Sequence, residues 1–174
     1  MKIYRYEQSC FLVELGGLNL YFDPYKISGN PPKADFICIS HSHFDHYDKN
    51  SIHKILEEQT IIICPSTCVD IVEEWGAMGL KAGEKFEKRE INIEAVPAYN
   101  VRFLRKLFHP KRKHFLGYVF ESEGKRIYHA GDCGLMPEMK GLNEISLAFL
   151  PISGWFTMNI KEAVKAVSFI NPAY

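Results

Sequence analysis

The sequence carries no net charge, with 21 Lys and Arg against 21 Asp and Glu over 174 residues. That balance disfavours a globally basic nucleic-acid binder, although it leaves room for a local patch. No apolar run is long enough to cross a bilayer, so no membrane partner is expected. The start, Met1-Lys2-Ile3-Tyr4-Arg5-Tyr6-Glu7, has no signal-peptide core, and the chain reads as cytoplasmic. Low-complexity segments and solenoid-length repeats are missing as well. So is a disulfide framework: Cys10, Cys38, Cys64, Cys68 and Cys133 are odd in number and unpaired in spacing. Cys64 and Cys68 stand four apart, but no second pair completes a structural zinc site. They are expected to end a buried strand and to pack on a helix. What is left is an ordinary globular composition, 47% apolar, of a size that suits one domain over residues 1–174.

The order of periodic segments predicts an α/β protein. Lys2–Glu7, Cys10–Leu15 and Leu18–Phe22 read as strands, the last two joined across Gly16-Gly17 as a hairpin. Asp23-Pro24 stops the third. Asp35–Ser40 and Thr60–Cys64 are short continuous apolar runs, the pattern of strands buried on both faces. Helices are expected over Asp48–Glu58 and over Ser66–Trp75, with Ser66 as N-cap. Beyond Gly83 the chain turns strand-rich: Ile91–Ala98, His114–Glu121, Arg126–Ala130 and Ile145–Leu150. Ser122-Glu123-Gly124-Lys125 supplies a hairpin turn. Asn159 with Glu162 forms a capping-box pattern that opens a helix to about Ile170.

The chemistry concentrates in His41-Ser42-His43-Phe44-Asp45-His46, just past a predicted buried strand. Loops at strand C-termini build sites in α/β proteins. Imidazole nitrogen and carboxylate oxygen are ligands that Zn, Fe or Mn accept. A tight loop can turn His41 and His43 toward one ion and Asp45 and His46 toward a second. Downstream, Asp132 follows another strand end in Tyr128-His129-Ala130-Gly131-Asp132 and can bridge two ions. His129 falls inside that strand and reads as a core histidine. Cys133 reads as a small buried thiol.

These residues resemble the metallo-β-lactamase superfamily, and within it the branch similar to L-ascorbate-6-phosphate lactonase. The likeness is carried by the His41–His46 cluster, Val96-Pro97-Ala98-Tyr99-Asn100, His109-Pro110-Lys111, Gly117-Tyr118 and Tyr128–Asp132. Pro137-Glu138-Met139, Leu150-Pro151-Ile152-Ser153-Gly154 and Thr157-Met158 continue it in order. The resemblance implies a four-layer αββα sandwich, with His41 and His43 at a first metal, Asp45 and His46 at a second, and Asp132 between them. The superfamily's third histidine for the first metal would fall where Asn100 stands, and His109 is the substitute candidate. The family's last histidine follows the final helix, so the fold is expected to be C-terminally short with a weak or absent second metal.

The expected function is metal-dependent hydrolysis. A zinc-bound water ionises near neutral pH, so hydroxide is available to attack a carbonyl or phosphoryl centre, with Asp45 as ligand and orienter of the nucleophile. One or two zinc ions are expected, with Mn or Fe accepted by the same donors. Arg102 to His114 is strongly basic within a neutral chain, and Asn100, Arg102, Arg105 and Lys111 are the candidate substrate contacts. They suit a small anionic substrate such as a phosphorylated one; a nucleic acid is disfavoured and a homo-oligomer is open. Three alternatives stand beside this reading. They are a metal-binding protein impaired by the missing ligand, an Fe-dependent oxidoreductase on the same fold, and a membrane or nucleic-acid module resting on the basic segment.

Overall fold

Gly16 and Gly17 both take positive φ, 61° and 75°. That is the backbone of a two-residue turn whose twist matches the strands it joins. It pairs β2 (Phe11–Leu15) with β3 (Leu18–Phe22) in antiparallel register, Leu15 facing Leu18. The computed structural model describes residues 1–88, 91–102 and 104–174, which divide into two compact units, Met1–Leu80 and Lys81–Tyr174.

The first unit is a six-stranded mixed sheet in sequence order. β1 (Lys2–Arg5) and β2 run antiparallel, as do β2 and β3; β4 (Phe36–Cys38), β5 (Ile61–Pro65) and β6 (Met78–Leu80) then continue parallel to β3. Four of five β5 side chains and all of β4 are apolar and buried because parallel strands bear crossovers. The crossover helices are α1 (Lys49–Ile55) and α2 (Val69–Trp75). Ile52, Ile55 and Ile71 are fully buried against Tyr21, Ile37, Ile39 and Ile62. Each contributes about 1.5–3 kcal/mol by leaving water.

Both helices are shorter than their sequence patterns. Asp48 caps α1 by accepting from Asn50 N at 3.1 Å, but Leu56 turns extended and a Glu57–Thr60 turn takes over. Ser66 is not the cap of α2. Its N–H donates to Leu80 O at 2.8 Å, which holds it in the sheet, and Cys68 becomes the N-cap. β6 was not legible, being three residues with a central glycine. A Cβ on Gly79 would lie 2.9 Å from Ser66 Cα, so the ladder requires glycine there.

The second unit is a five-stranded sheet ordered β11-β10-β9-β8-β7. β7 (Lys85–Lys88), β8 (Ile91–Pro97), β9 (Leu116–Ser122) and β10 (Lys125–His129) are antiparallel neighbours, and β11 (Leu147–Phe149) runs parallel to β10. The exposed, charged edge strand β7 escaped the sequence reading because it has little apolar signal. β9 starts two residues later than expected, since His114 sits at φ 53° closing a short 3-10 turn. α3 (Ile160–Ile170) has the expected capping box, and its Ala163, Ala166 and Ile170 join Tyr128, Ala130, Met136 and Met158 in the core. Beyond α3 the backbone returns to β11, where Tyr174 N donates to Ser146 O at 3.1 Å.

Candidate functional site

The first unit gathers three imidazoles. His41 stands three residues past the end of β4, and a turn in which His46 N and Tyr47 N both donate to His43 O brings the other two back. The His41 ring lies 4.4 Å from that of His43 and 4.1 Å from that of His46, centroid to centroid. His41 Nε2 is 3.0 Å from His43 Nδ1. Two donors on one tetrahedral zinc at bond lengths of about 2.0–2.1 Å stand roughly 3.3 Å apart, so this spacing fits shared ligation.

Asp23, at 0% exposure, sets the orientation of two of these rings. A carboxylate only accepts hydrogen bonds. His46 Nδ1 therefore donates to Asp23 Oδ2 at 2.7 Å, and Ser40 Oγ donates to the same oxygen at 2.8 Å. The Ser40 hydroxyl has spent its only proton, so it accepts from His41 Nδ1 at 2.8 Å. Ser40 N completes the clamp on Asp23 Oδ1 at 2.7 Å. Both rings then carry their proton on Nδ1 and present a bare Nε2, the tautomer that a ligand requires. Sequence reasoning missed Asp23 and Ser40. Asp23-Pro24 reads as a strand stop, and nothing local betrays a partner 23 residues away. Asp45 is half-buried on the same turn, and its Oδ2 accepts from Gln8 Nε2 at 3.1 Å.

The second unit brings His109 and Asp132 together, with Nε2 to Oδ2 at 3.4 Å. His109 is 2% exposed rather than part of an open loop. Its Nδ1 faces the Phe156 carbonyl at 3.4 Å, which can take the Nδ1 proton and leave Nε2 for a metal. Asp132 follows β10 after Gly131, whose φ of 59° turns the chain. His129 ends β10 at 3% exposure, a buried core position, and its Nδ1 accepts from Gly131 N at 3.3 Å.

The four candidate substrate contacts separate. Asn100 is wholly buried: its Nδ2 donates to Arg105 O at 3.0 Å and Phe156 O at 2.7 Å, and its N to His109 O at 2.8 Å. Arg105 is also buried, donating to Glu162 Oε2 and to Gly154 O, both at 2.6 Å. These two residues hold loops together instead of facing solvent. Arg102 is exposed and paired with Glu162 at 2.7 Å, and Lys111 is exposed and reaches Glu138 at 3.3 Å. Phe103, inside the basic segment, lies outside the described residues.

The thiols are poor ligands where they stand. All five are buried and carry no disulfide. Burial pushes Cys10 and Cys64 up to about 12 and carries Cys133 in the same direction, with the Asp132 charge adding to it. Thiols so shifted stay protonated at neutral pH.

Comparison with known proteins points to one superfamily. The sequence pattern named Beta-lactamase superfamily domain matches residues 2–174. A UPF0173 metal-dependent hydrolase of Carboxydothermus hydrogenoformans is 30% identical over 186 residues, covering 100% of this chain and 82% of the relative. The chain belongs to the UPF0173 family of the metallo-β-lactamase superfamily. Another member, from Caldivirga maquilingensis, is 32% identical over 94% of this chain and 75% of its own. The crystal structure of a proposed metal-dependent hydrolase from Parabacteroides distasonis superposes with a TM-score of 0.89 at 32% identity, covering 98% of this chain and 78% of the other. The fold is thus the α/β metallo-β-lactamase fold, as the sequence implied. No helix among the described residues is long and apolar enough to cross a membrane.

Proposed function

We propose that this chain hydrolyses a small anionic substrate with zinc, for which His41, His43, Asp45 and His46 of the first unit and His109 and Asp132 of the second are the assigned ligands. The observation that carries the reading is the Asp23–Ser40 clamp, which leaves His41 and His46 with bare Nε2 atoms and sets His41 Nε2 3.0 Å from His43 Nδ1. Buried imidazoles aimed at one another in that way suit a cation. A bound divalent ion supplies acidity to a water molecule and an electrophile to the substrate oxygen.

The chain's own groups do the rest. Asp45 is the group assigned to orient the nucleophile, accepting its proton by hydrogen bond. Asp23 keeps His46 from rotating and fixes its proton. Arg102 and Lys111 are the exposed cations assigned to the anionic part of the substrate, which a phosphorylated sugar lactone or a phosphodiester would supply. Asn100 and Arg105 fix the loop that carries His109.

Elemental analysis of the purified chain, beside its His43→Ala variant, tests the proposal. One or more equivalents of zinc in the native chain, reduced in the variant, with hydrolysis of a phosphodiester or lactone probe lost in parallel, is the expected result. No zinc uptake after reconstitution would overturn it.

A further inference from the structure

Within the basic segment, three apolar residues stand as exposed as the charges around them. Leu104, Leu107 and Phe108 are 73%, 78% and 47% accessible, and the neighbouring loop adds Trp155 at 84% and Phe156 at 48%. The two loops are one body. Arg105 Nη2 donates to Gly154 O and Asn100 Nδ2 to Phe156 O, and the Phe108 and Phe156 rings meet edge to face at 4.7 Å. Buried polar anchors thus hold apolar side chains outward, against the hydrophobic effect, which marks a contact surface.

The charge around this surface says what it contacts. Six cations, Arg102, Arg105, Lys106, Lys111, Arg112 and Lys113, fall in residues 102–113, and no Asp or Glu occurs between Ala95 and Phe120. Arg105 is buried and Arg102 and Lys111 are paired with Glu162 and Glu138, while Lys106 and Arg112 stand exposed. A nucleic acid would use the cations and stack on the aromatic rings, but it has no use for Leu104 and Leu107. A hydrocarbon surface with negative headgroups uses all of them: leucines below, tryptophan at the interface, lysine and arginine among the phosphates.

We infer that these paired loops dock the chain on an anionic phospholipid surface. The expectation of no membrane partner rested on the lack of a spanning segment and does not bear on peripheral contact. This inference does not depend on the metal, so failure of the hydrolase reading would leave it standing.

Trp155 provides the readout, since the only other tryptophan, Trp75, is partly buried with its Nε1 donating to Tyr47 Oη. On vesicles of phosphatidylcholine with about one third phosphatidylglycerol, Trp155 emission shifts to the blue and the chain co-sediments, with little of either on pure phosphatidylcholine. Leu104→Asp with Leu107→Asp, and separately Lys106→Glu with Arg112→Glu, each weaken vesicle binding about tenfold or more. All four side chains are exposed, and unchanged circular dichroism confirms folding. No shift and no sedimentation on the anionic vesicles would overturn the inference. So would binding by both variants as tight as that of the native chain, or a blue shift that follows chain concentration without lipid, which would assign the surface to a second copy.

Discussion

The two groups of candidate ligands are oriented by opposite means. In the first unit a single buried carboxylate, Asp23, fixes His46 directly and His41 through Ser40. In the second, His109 Nδ1 faces the Phe156 carbonyl, an uncharged acceptor, at 3.4 Å. A carboxylate behind an imidazole makes it more basic and locks its tautomer; a carbonyl orients it with less charge. The first group is therefore built to hold its ligands whether or not a metal is present, and the second relies on the loops that carry it.

Asp23→Asn strikes at that difference hardest. The amide keeps one acceptor but turns an NH2 toward His46 Nδ1 or Ser40, so His46 is driven to the tautomer whose Nε2 is protonated. Zinc affinity should fall about 10–100-fold. Competition with a chromophoric chelator measures it. Asn100→Ala is the matched change in the second unit. It strips partners from two carbonyls, costs roughly 1–3 kcal/mol of stability, and leaves His109 facing Phe156 O. A loss of zinc affinity in Asn100→Ala equal to that of Asp23→Asn would abolish the distinction.

What was legible follows the same division. Four ligand candidates within six residues, after a continuous apolar strand, announce themselves by density, so His41, His43, Asp45 and His46 stand out from sequence alone. Asp23 does not, because its partners reach it through parallel pairing of β3 with β4, and register is a property of the folded sheet. Asn100 and Arg105 look like substrate contacts in a basic polar run. Only the fold shows that the 152–157 loop closes over them. The main strands were legible because burial forces apolar continuity, while β6 and β7, one built around glycine and one charged at an edge, had no such signature.

The Arg105–Glu162 pair is the next point of attack, with a smaller effect. Glu162 is both the capping-box residue of α3 and the partner of Arg105 and Arg102. Burial pulls its carboxyl upward, but the Arg105 guanidinium, the Asn159 amide and the Arg102 charge outweigh that and hold it below the ordinary carboxylate value. A lowered folded value means that the stabilisation is fully present above the unfolded pKa of about 4.3 and is lost as pH falls through the folded one. Glu162→Gln should cost about 2 kcal/mol at pH 7 and flatten the acid limb of stability against pH, read by urea melts. An acid limb unchanged in the variant would assign that loss to other carboxylates.

Cys133→Ala is expected to do least, and it sharpens the comparison by asking whether sulfur belongs to the second group. Cys133 adjoins Asp132 and is fully buried, and burial together with the Asp132 charge holds its thiol above the ordinary value. A group raised in this way favours the folded state below its unfolded pKa of about 8.5 and gives that preference up as pH rises. At pH 7 the substitution removes one buried sulfur and no charge, so its cost is about 1 kcal/mol from the small void. Zinc content should not change, because a neutral thiol competes poorly with imidazole and carboxylate. If zinc instead falls with Cys133→Ala, the metal itself lowers this thiol, and the second unit offers sulfur where the first offers only nitrogen and oxygen.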